Sequence, residues 1–567
     1  MRKQRPSQPS SSAELQADES KMASQSLTTA SKKATRTLRS QRQRNPVRAG
    51  LAVIAGRMAG ALSRRLHLGG GTSIVGVVAQ RVYPEIVEHL ATELKYGSVM
   101  VTGTNGKTTT SSFIAAILRD DGLRVWRNRE GSNLMGGVAS SLVIRAQLDG
   151  HLRRSGKAIS ILEVDEAALP QIIRSVLPRT IVFTNLFRDQ LDRYGEVNSI
   201  VALWKQAITN LPPDTTLVLN ADDPTIAQLG DLFTGKVLYY GIDDPSLDLL
   251  TQPDTTARHQ VIDARTCPIC GHEYVYDAQF YSHMGHYHCP NCGHSRPQPD
   301  IRVTHVQMDS FDRLRIQVTA NDQQHELTIP LPGLYNIYNA LAAITVSLTL
   351  QSSWEAIVLG IEQSKPVFGR GERLQVDDKT IRLLLAKNPT GFNEVLRTVY
   401  SEDVPRYLLF VLNDNIADGQ DISWIWDVDF ERIIGRTSTL IVAGTRALDL
   451  AVRLKYAGIN EKDMIIIPPA PLRTERKKIS TYTRLRSRNQ LQRKEKGRDG
   501  QDSHAISLSE PPTQRNYGIK NALTSALAQT PVGETLFVVP TYTGLLELHQ
   551  ELEQRGLTPH YWEGRDA

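Results

Sequence analysis

Val101-Thr-Gly-Thr-Asn-Gly-Lys-Thr-Thr-Thr110 decides how the rest of this chain is read. The apolar run just before it, Ser98 to Thr102 (SVMVT), reads as a short buried strand, and Thr108 to Leu118 reads as a helix. A strand that feeds through a Gly-containing loop into a helix N-terminus leaves backbone N–H groups free to cradle phosphates. In that geometry Lys107 neutralises the terminal phosphates of a nucleotide and the Thr108 hydroxyl reaches magnesium. The candidate ATP contacts are therefore Gly103, Thr104, Asn105, Gly106, Lys107, Thr108 and Thr109. The spacing departs from the common G-x-x-x-x-G-K-T, because Val101 stands where the first glycine would be. The strand–loop–helix context carries the assignment.

Working outward, Ile159 to Val164, Thr180 to Thr184 and Thr216 to Leu219 read as further strands with helical stretches between them. That alternation predicts an α/β fold with a parallel sheet covered on both faces. Leu334 to Leu350 carries apolar residues at helical spacing. After the turn-rich Pro366 to Gly371 a second, Rossmann-like α/β set begins, with strands expected at Ile381–Ala386, Tyr407–Leu412, Leu440–Ala443, Met464–Ile467 and Thr535–Val539. The 567 residues thus divide into a tail at 1–50, an ATP-binding domain at 51–368 and a C-terminal domain at 369–567. Leu51 to about Leu94 reads as helical, broken at Gly69-Gly70-Gly71, and is expected to pack on the core.

Composition narrows the function classes. Lys and Arg number 66 against 60 Asp and Glu, a net +6. Residues 1–50 supply roughly +8 and Arg473–Asp499 roughly +8 more, which leaves about −10 for the remainder. Both segments are polar and poor in aromatics, so 1–50 and 473–516 are expected to be disordered. A transit peptide would also favour Arg and Ser, but Glu14, Asp18 and Glu19 count against one. Basic charge confined to such segments is no nucleic-acid-binding face. No run of ~18 apolar residues exists to span a membrane, so a cytoplasmic chain is expected. The basic segments, and Arg57, Arg64 and Arg65 beside an apolar helix face, leave contact with the inner face of the plasma membrane open.

All four cysteines fall in one stretch, 264–297, which too few cysteines accompany to make a disulfide scaffold. Cys267-Pro-Ile-Cys270-Gly-His and Cys289-Pro-Asn-Cys292-Gly-His repeat one knuckle, C-x₂-C-x₁₈-C-x₂-C. Four thiolates complete a tetrahedral zinc shell, and a closed S₄ shell leaves no site for water, so the metal would be structural. His283, His286 and His288 lie between the knuckles and are expected at the surface rather than as ligands.

The loop T-G-T-N-G-K-T-T-T resembles the form this motif takes in the Mur ligase family, and other stretches agree in order along the chain. Phe183-Thr-Asn-Leu-Phe-Arg-Asp-Gln-Leu-Asp192 resembles F-T-N-x-x-x-D-H-L-D, and Asn220-Ala-Asp-Asp-Pro224 matches N-A-D-D-P. Gly333-Leu-Tyr-Asn-Ile-Tyr-Asn-Ala-Leu-Ala-Ala343 resembles G-x-H-N-x-x-N-x-x-A-A, and Gly369-Arg-Gly-Glu372 matches G-R-x-E. The departures are specific. Gln190 stands where the family places a metal-binding His, Trp204 where it places a carbamoylated lysine, and Lys387-Asn-Pro389 replaces A-H-x-P. With the four-cysteine insert and Asn413-Asp-Asn-Ile-Ala-Asp-Gly-Gln-Asp-Ile-Ser-Trp-Ile-Trp-Asp427, the chain is similar to one branch, the MurT-type ligase subunits of lipid II isoglutaminyl synthase.

That resemblance implies a Mur-ligase P-loop domain with a zinc-ribbon insertion, followed by the C-terminal α/β domain. It implies that Glu163 holds magnesium together with Thr108, that Asn336 and Asn339 read adenine, and that Arg370 contacts phosphate. The implied reaction is ATP-dependent: the α-carboxylate of D-glutamate in the lipid II stem peptide becomes an acyl phosphate, and ammonia converts it to D-isoglutamine. This chain has no cysteine to spare for a glutaminase nucleophile. The branch takes ammonia from a class I glutaminase subunit of the GatD type, as a heterodimer. An acidic residue of the ligase completes that partner's Cys–His triad; the resemblance places it on Asp421, with Asp418 and Asp427 as other carboxylates of the motif. The competing expectations are a partner-independent amino-acid ligase of the Mur or folylpolyglutamate type, and a zinc-ribbon scaffold with a vestigial P-loop.

Overall fold

The computed structural model describes residues 45–65, 73–128, 132–153, 155–188, 197–251, 263–366, 369–469 and 518–558. The tail up to residue 44, Gly69–Gly71, Gln190 and the whole of 473–516 lie outside the described residues, so the expectations for them stand without a structural account. Helix α1 (Pro46–Arg65) already begins inside the stretch expected to be tail. It is followed by α2 (Ile74–Val82).

Strands β1 (Ser98–Thr102), β2 (Arg124–Arg127), β3 (Ala158–Glu163), β4 (Thr180–Phe183), β5 (Thr216–Asn220) and β6 (Lys236–Ile242) run parallel. Every residue of β1, β3 and β4 is buried, as expected of apolar strands covered on both faces. Helices α3 (Lys107–Asp120) and α5 (Tyr335–Thr349) cover one face through Phe113, Ile117, Leu341 and Ile344. Helices α1, α2 and α4 (Met135–Val143) belong to the core on the other face, with Trp204. The cysteine-bearing insert contributes a hairpin of its own, β7 (Val275–Tyr281) and β8 (Met284–His288). An antiparallel meander, β9 (Ile301–Ser310), β10 (Arg313–Ala320) and β11 (Gln323–Ile329), then extends the sheet to nine strands in the order β11-β10-β9-β6-β5-β4-β1-β3-β2.

The C-terminal sheet has the order β12-β13-β17-β14-β15-β16. Its strands are β12 (Arg370–Val376), β13 (Lys379–Leu384), β14 (Arg406–Val411), β15 (Thr437–Ala443), β16 (Met464–Ile467) and β17 (Thr535–Pro540). All pairings are parallel except the β12–β13 hairpin, which the sequence reading did not anticipate because β12, RGERLQV, is largely polar. Helix α6 (Pro389–Val399) packs on one face and α7 (Tyr542–Gln554) on the other.

The two sheets are tied side chain to side chain. Arg382 of β13 places both guanidinium nitrogens on the Asp312 carboxylate, between β9 and β10, and stacks 4.4 Å over the Phe311 ring. Phe311 in turn lies 5.4 Å from Phe537 of β17. Arg397 of α6 donates to the Phe280 carbonyl at 2.6 Å. Arg382 is itself buried, so Arg382→Ala leaves a carboxylate without its partner and removes the stacking. We expect it to destabilise the protein by about 2–3 kcal/mol. Thermal and urea melts would check this; an unchanged midpoint would mean that the pair is solvated in the working protein.

Candidate functional site

The loop between β1 and α3 is held open by its neighbours rather than by itself. Gly103 (φ 129°) and Gly106 (φ 87°) take backbone angles that side chains disfavour. A Cβ on Gly103 would lie 2.2 Å from Thr184 Oγ1, and one on Gly106 2.1 Å from Asn339 Oδ1, so only glycine fits either position. The next strand, β4, supplies the brace. The Asn105 amide donates to Asn185 Oδ1 (2.8 Å), Thr184 Oγ1 donates to the Asn105 carbonyl (2.8 Å), and the Thr104 amide donates to the Asn185 carbonyl (2.9 Å). The Phe187 amide donates to the Thr104 hydroxyl at 3.0 Å. The F-T-N stretch is thus the clamp of the phosphate loop.

Two carboxylates from the C-terminal end of β3 meet the first turn of α3. Thr108 Oγ1 donates to Glu163 Oε2 at 2.9 Å, and Lys107 Nζ pairs with Glu166 Oε1 at 2.5 Å. Glu163 is further fixed by Arg127 (3.2 Å) and by Asn128, whose side chain bonds both the Glu163 amide and its carbonyl at 2.9 Å. Sequence reasoning missed Glu166, Arg127 and Asn128. Only Glu166, three residues after Glu163 in Leu162-Glu-Val-Asp-Glu166, carried a signal that spacing could have used. A hydroxyl and a carboxylate in contact, with no nitrogen or sulfur donor between them, form the oxygen-only set that suits magnesium.

Trp204 is a fully buried ring, 5.0 Å edge-on to Phe183, and donates its indole N–H to the Glu166 carbonyl at 2.9 Å. The indole therefore positions the carboxylate that holds Lys107. Asn336 and Asn339 are both buried at the start of α5: Asn339 Nδ2 donates to Asn336 Oδ1 (2.9 Å), and Asn339 Oδ1 accepts from Thr110 (3.3 Å). Arg370 opens β12 close to Tyr335, whose hydroxyl burial pushes up to about 12 while Arg370 opposes the shift. Asn388, in the Lys387-Asn-Pro389 stretch, caps α6 through the Gly391 amide and donates to Asn105 Oδ1 at 3.1 Å. The C-terminal domain touches the phosphate loop there.

Cys267, Cys270, Cys289 and Cys292 converge. Their sulfurs all lie within 4.8 Å of one another, with Cys267–Cys292 at 3.6 Å and Cys270–Cys289 at 3.4 Å. A tetrahedral shell of 2.3 Å zinc–sulfur bonds has edges of about 3.8 Å, so the donor set fits that metal. The two knuckles are copies: each first cysteine donates its amide to the carbonyl five residues on, His272 or His294, at 2.7 Å. The His272 N–H contributes to pulling the Cys270 thiol down to about 6, whereas burial and the neighbouring thiols push Cys292 up to about 12, so the cluster shares its protons until a metal displaces them. His283 corrects the expectation of surface histidines: it is fully buried, 3.3 Å from Asp223, whose carboxylate raises its pKa against the opposing effect of burial.

In the Asn413–Asp427 stretch the aspartates part company. Asp414 pairs with Arg446 at 2.7 Å. Asp418 is buried and accepts from the Thr543 amide at 2.7 Å. Beside it, burial and the Asp418 charge push Glu547 up to about 8. Asp421 is exposed; the Ser423 N–H, donating at 2.8 Å, holds its carboxyl below the ordinary range. Asp427 is exposed as well.

A P-loop clamped by β4 and faced by β3 carboxylates defines an ATP-dependent ligase of the Mur type, and the comparisons agree. The Mur ligase middle domain matches residues 101–347, and the MurT ligase C-terminal domain matches 385–486. The subunit MurT of the glutamine-hydrolyzing lipid II isoglutaminyl synthase from Staphylococcus aureus (strain COL) is 34% identical over 410 residues, 72% of this chain and 87% of that one. Its namesake from Streptococcus pneumoniae (strain ATCC BAA-255 / R6) is 35% identical over 409 residues, with the same coverage. The chain belongs to this MurT family. Among solved structures, a pseudomurein peptide ligase type C from Methanothermus fervidus aligns with a TM-score of 0.56 at 22% identity, over 82% of this chain and 79% of that one. The MurF ligase from Thermotoga maritima in complex with ADP aligns at 0.52 and 12%, over 84% and 85%; both likenesses concern the fold alone.

The cysteine geometry makes a direct prediction. The protein should carry about one zinc per chain, and Cys267→Ser should lower both metal content and thermal midpoint while the folded fraction keeps its ligase activity. Metal analysis beside a melting curve checks it; metal-free protein with an undiminished midpoint would refute a structural zinc.

Proposed function

We propose that this chain is the ligase subunit of a two-protein amidating enzyme. It would activate the D-glutamate α-carboxylate of the lipid II stem peptide with ATP and join ammonia to it, giving D-isoglutamine. The observation that carries the reading is the pairing of Lys107 with Glu166 and Thr108 with Glu163 at the mouth of a clamped phosphate loop. When nucleotide enters, Lys107 exchanges Glu166 for the terminal phosphates, and the loop amides take the remaining phosphate charge. Thr108 and Glu163 would hold magnesium, which screens the charge of the transferring phosphoryl group. The substrate carboxylate oxygen attacks the γ-phosphorus, ADP leaves, and an acyl phosphate results. Ammonia then adds to the acyl carbon, phosphate departs with the C–O bond electrons, and the nitrogen gives up one proton, which the departing phosphate takes, leaving the neutral amide. Asn336, Asn339 and Arg370 line the approach as adenine and phosphate contacts in this reading.

The nitrogen must come from a partner, because the chain's four cysteines are gathered in one cluster and none is left for glutamine hydrolysis. Exposed Asp421, ionised throughout the physiological range, is suited to orient and stabilise the histidine of a glutaminase triad. An exposed apolar patch in the same domain would suit that partner: Leu448, Val452 and Tyr456 recur along the helix Ala447–Tyr456, and Trp426 stacks edge-on to Tyr456 at 5.6 Å.

Two substitutions separate the half-reactions. Lys107→Ala should abolish amidation with either glutamine or ammonia, by at least about a thousandfold, since it removes transition-state charge stabilisation. Ammonia-driven activity that survived would sink the P-loop roles. Asp421→Asn should reduce glutamine hydrolysis by the complex by about three to four orders of magnitude, yet leave amidation with free ammonia in place. Loss of both would put Asp421 in the ligase site or in folding; loss of neither would move the role to Asp418 or Asp427.

A further inference from the structure

Helix α1 is apolar on its outer face. Its buried positions are Ala49, Gly50, Ala52, Val53, Gly56, Gly60 and Ser63, mostly small residues that let α2 approach closely. Its large apolar side chains point to solvent instead: Val47 is 72% exposed, Leu51 55%, Ile54 39%, Met58 67% and Leu62 58%. Spacings of four, three, four and four residues put these five on one stripe of a 20-residue helix, about 30 Å long. Leu148, 61% exposed, widens the stripe, because its carbonyl lies against Gly50. A surface helix of a globular protein shows the opposite arrangement, and an exposed patch of this extent marks a contact surface.

The charges on α1 say what covers it. The helix has four arginines and no acidic residue. Arg57 is fastened to the Ile144 and Ala146 carbonyls, with Arg153 near enough to depress its pKa after burial has done so. Arg64 and Arg65 end the helix exposed, and among the described residues no ion pair engages any of the four. A second copy of α1 would set arginine against arginine. A convex apolar ridge flanked by unneutralised arginines matches an anionic bilayer, where the ridge enters the headgroup–acyl boundary and the guanidinium groups meet phosphates.

We propose that α1 is a membrane-docking helix that seats the enzyme on an anionic lipid surface. The inference deepens the reading above, on which the substrate is lipid-anchored. The position fits: α1 packs on α2, and α2 on α4, where the Gly76 amide donates to Ser140 Oγ at 2.8 Å. The turn just before α4 carries Ser132 and Asn133, whose carbonyls bond Asn128 and Asp165 beside Glu163. Docking through α1 therefore couples the lipid-facing helix to one flank of the ligase cleft through α2 and α4.

The test uses the full chain with its glutaminase partner and flotation on vesicles of phosphatidylglycerol and phosphatidylcholine in equal parts, against phosphatidylcholine alone. Leu51→Asp with Met58→Asp should lower partition to anionic vesicles about tenfold or more, while ammonia-driven amidation of a soluble, carrier-free substrate is unchanged. Arg64→Glu with Arg65→Glu should weaken binding to anionic vesicles alone, and it carries the decision should the first variant unfold. Unchanged vesicle binding in both variants overturns the proposal. So does a loss of glutaminase association or a change of oligomeric mass in light scattering, since α1 would then be a protein interface. Failure of the amidation reading would be visible separately, as absent activity of the parent chain on the soluble substrate.

Discussion

A lysine ammonium at the head of a helix, nearly out of reach of water, cannot stand without a counter-charge. Lys107 has its counter-charge in Glu166, and the organisation of the ligase domain follows from bringing those two groups together. They follow β1 and β3 in the chain, which pair directly as parallel neighbours, so the ends of both strands open on the same edge of the sheet. Ligands of open α/β sheets bind at that carboxyl edge. Trp204 reaches the same point from the helix Val197–Ile208 and fixes the Glu166 backbone. Through that one hydrogen bond the indole holds the backbone that carries Lys107's counter-charge.

A second buried charge holds the insert to that architecture. Asp222 is fully buried and receives Arg296 (2.6 Å), the Tyr338 hydroxyl (2.7 Å) and the Ile242 amide (2.9 Å). Asp223 caps the turn at Pro224, accepts from the Leu186 amide and meets His283 from the cysteine-bearing hairpin. Each oxygen has a specific donor, as an interior carboxylate requires. The Asn220–Pro224 motif is thus a fastening between β5, the insert and helix α5 rather than a reacting group. The four cysteines gather at the other end of the hairpin from His283.

Wherever one rule governs a segment, the sequence was legible. β1 and β16 have the expected bounds, and α5 differs from its expected range by one residue at each end, because continuous apolar runs and 3.6-residue spacing leave little choice. The P-loop residues and the four cysteines were legible because their chemistry is written in local spacing. What escaped depends on partners distant in sequence. Glu166 is one of several acids until Lys107, 59 residues away, selects it. His283 looks like a surface residue until Asp223 buries it. Polar β12 becomes a strand only because β13 offers its edge. The orientation of α1 was unreadable for the same reason: its small residues face inward only because α2 supplies a surface close enough to reward them.

Charge distribution gives that orientation a consequence for the whole molecule. With the two basic segments set aside, the remainder carries about −10, so an anionic surface repels most of its faces. The arginines of α1 and the two basic segments are drawn to such a surface within a Debye length of about 8 Å. Arginines placed beside the apolar ridge favour the attitude in which α1 faces the membrane, which contact area alone would not impose. The apolar stripe supplies affinity once the attitude is reached, because its burial is short-ranged and insensitive to sign. Long-range charge thus selects the face, and short-range burial holds it. The C-terminal domain, tethered to the phosphate loop through Asn388 and to the meander through Arg382, carries its exposed apolar patch on the helix Ala447–Tyr456, an element distinct from α1.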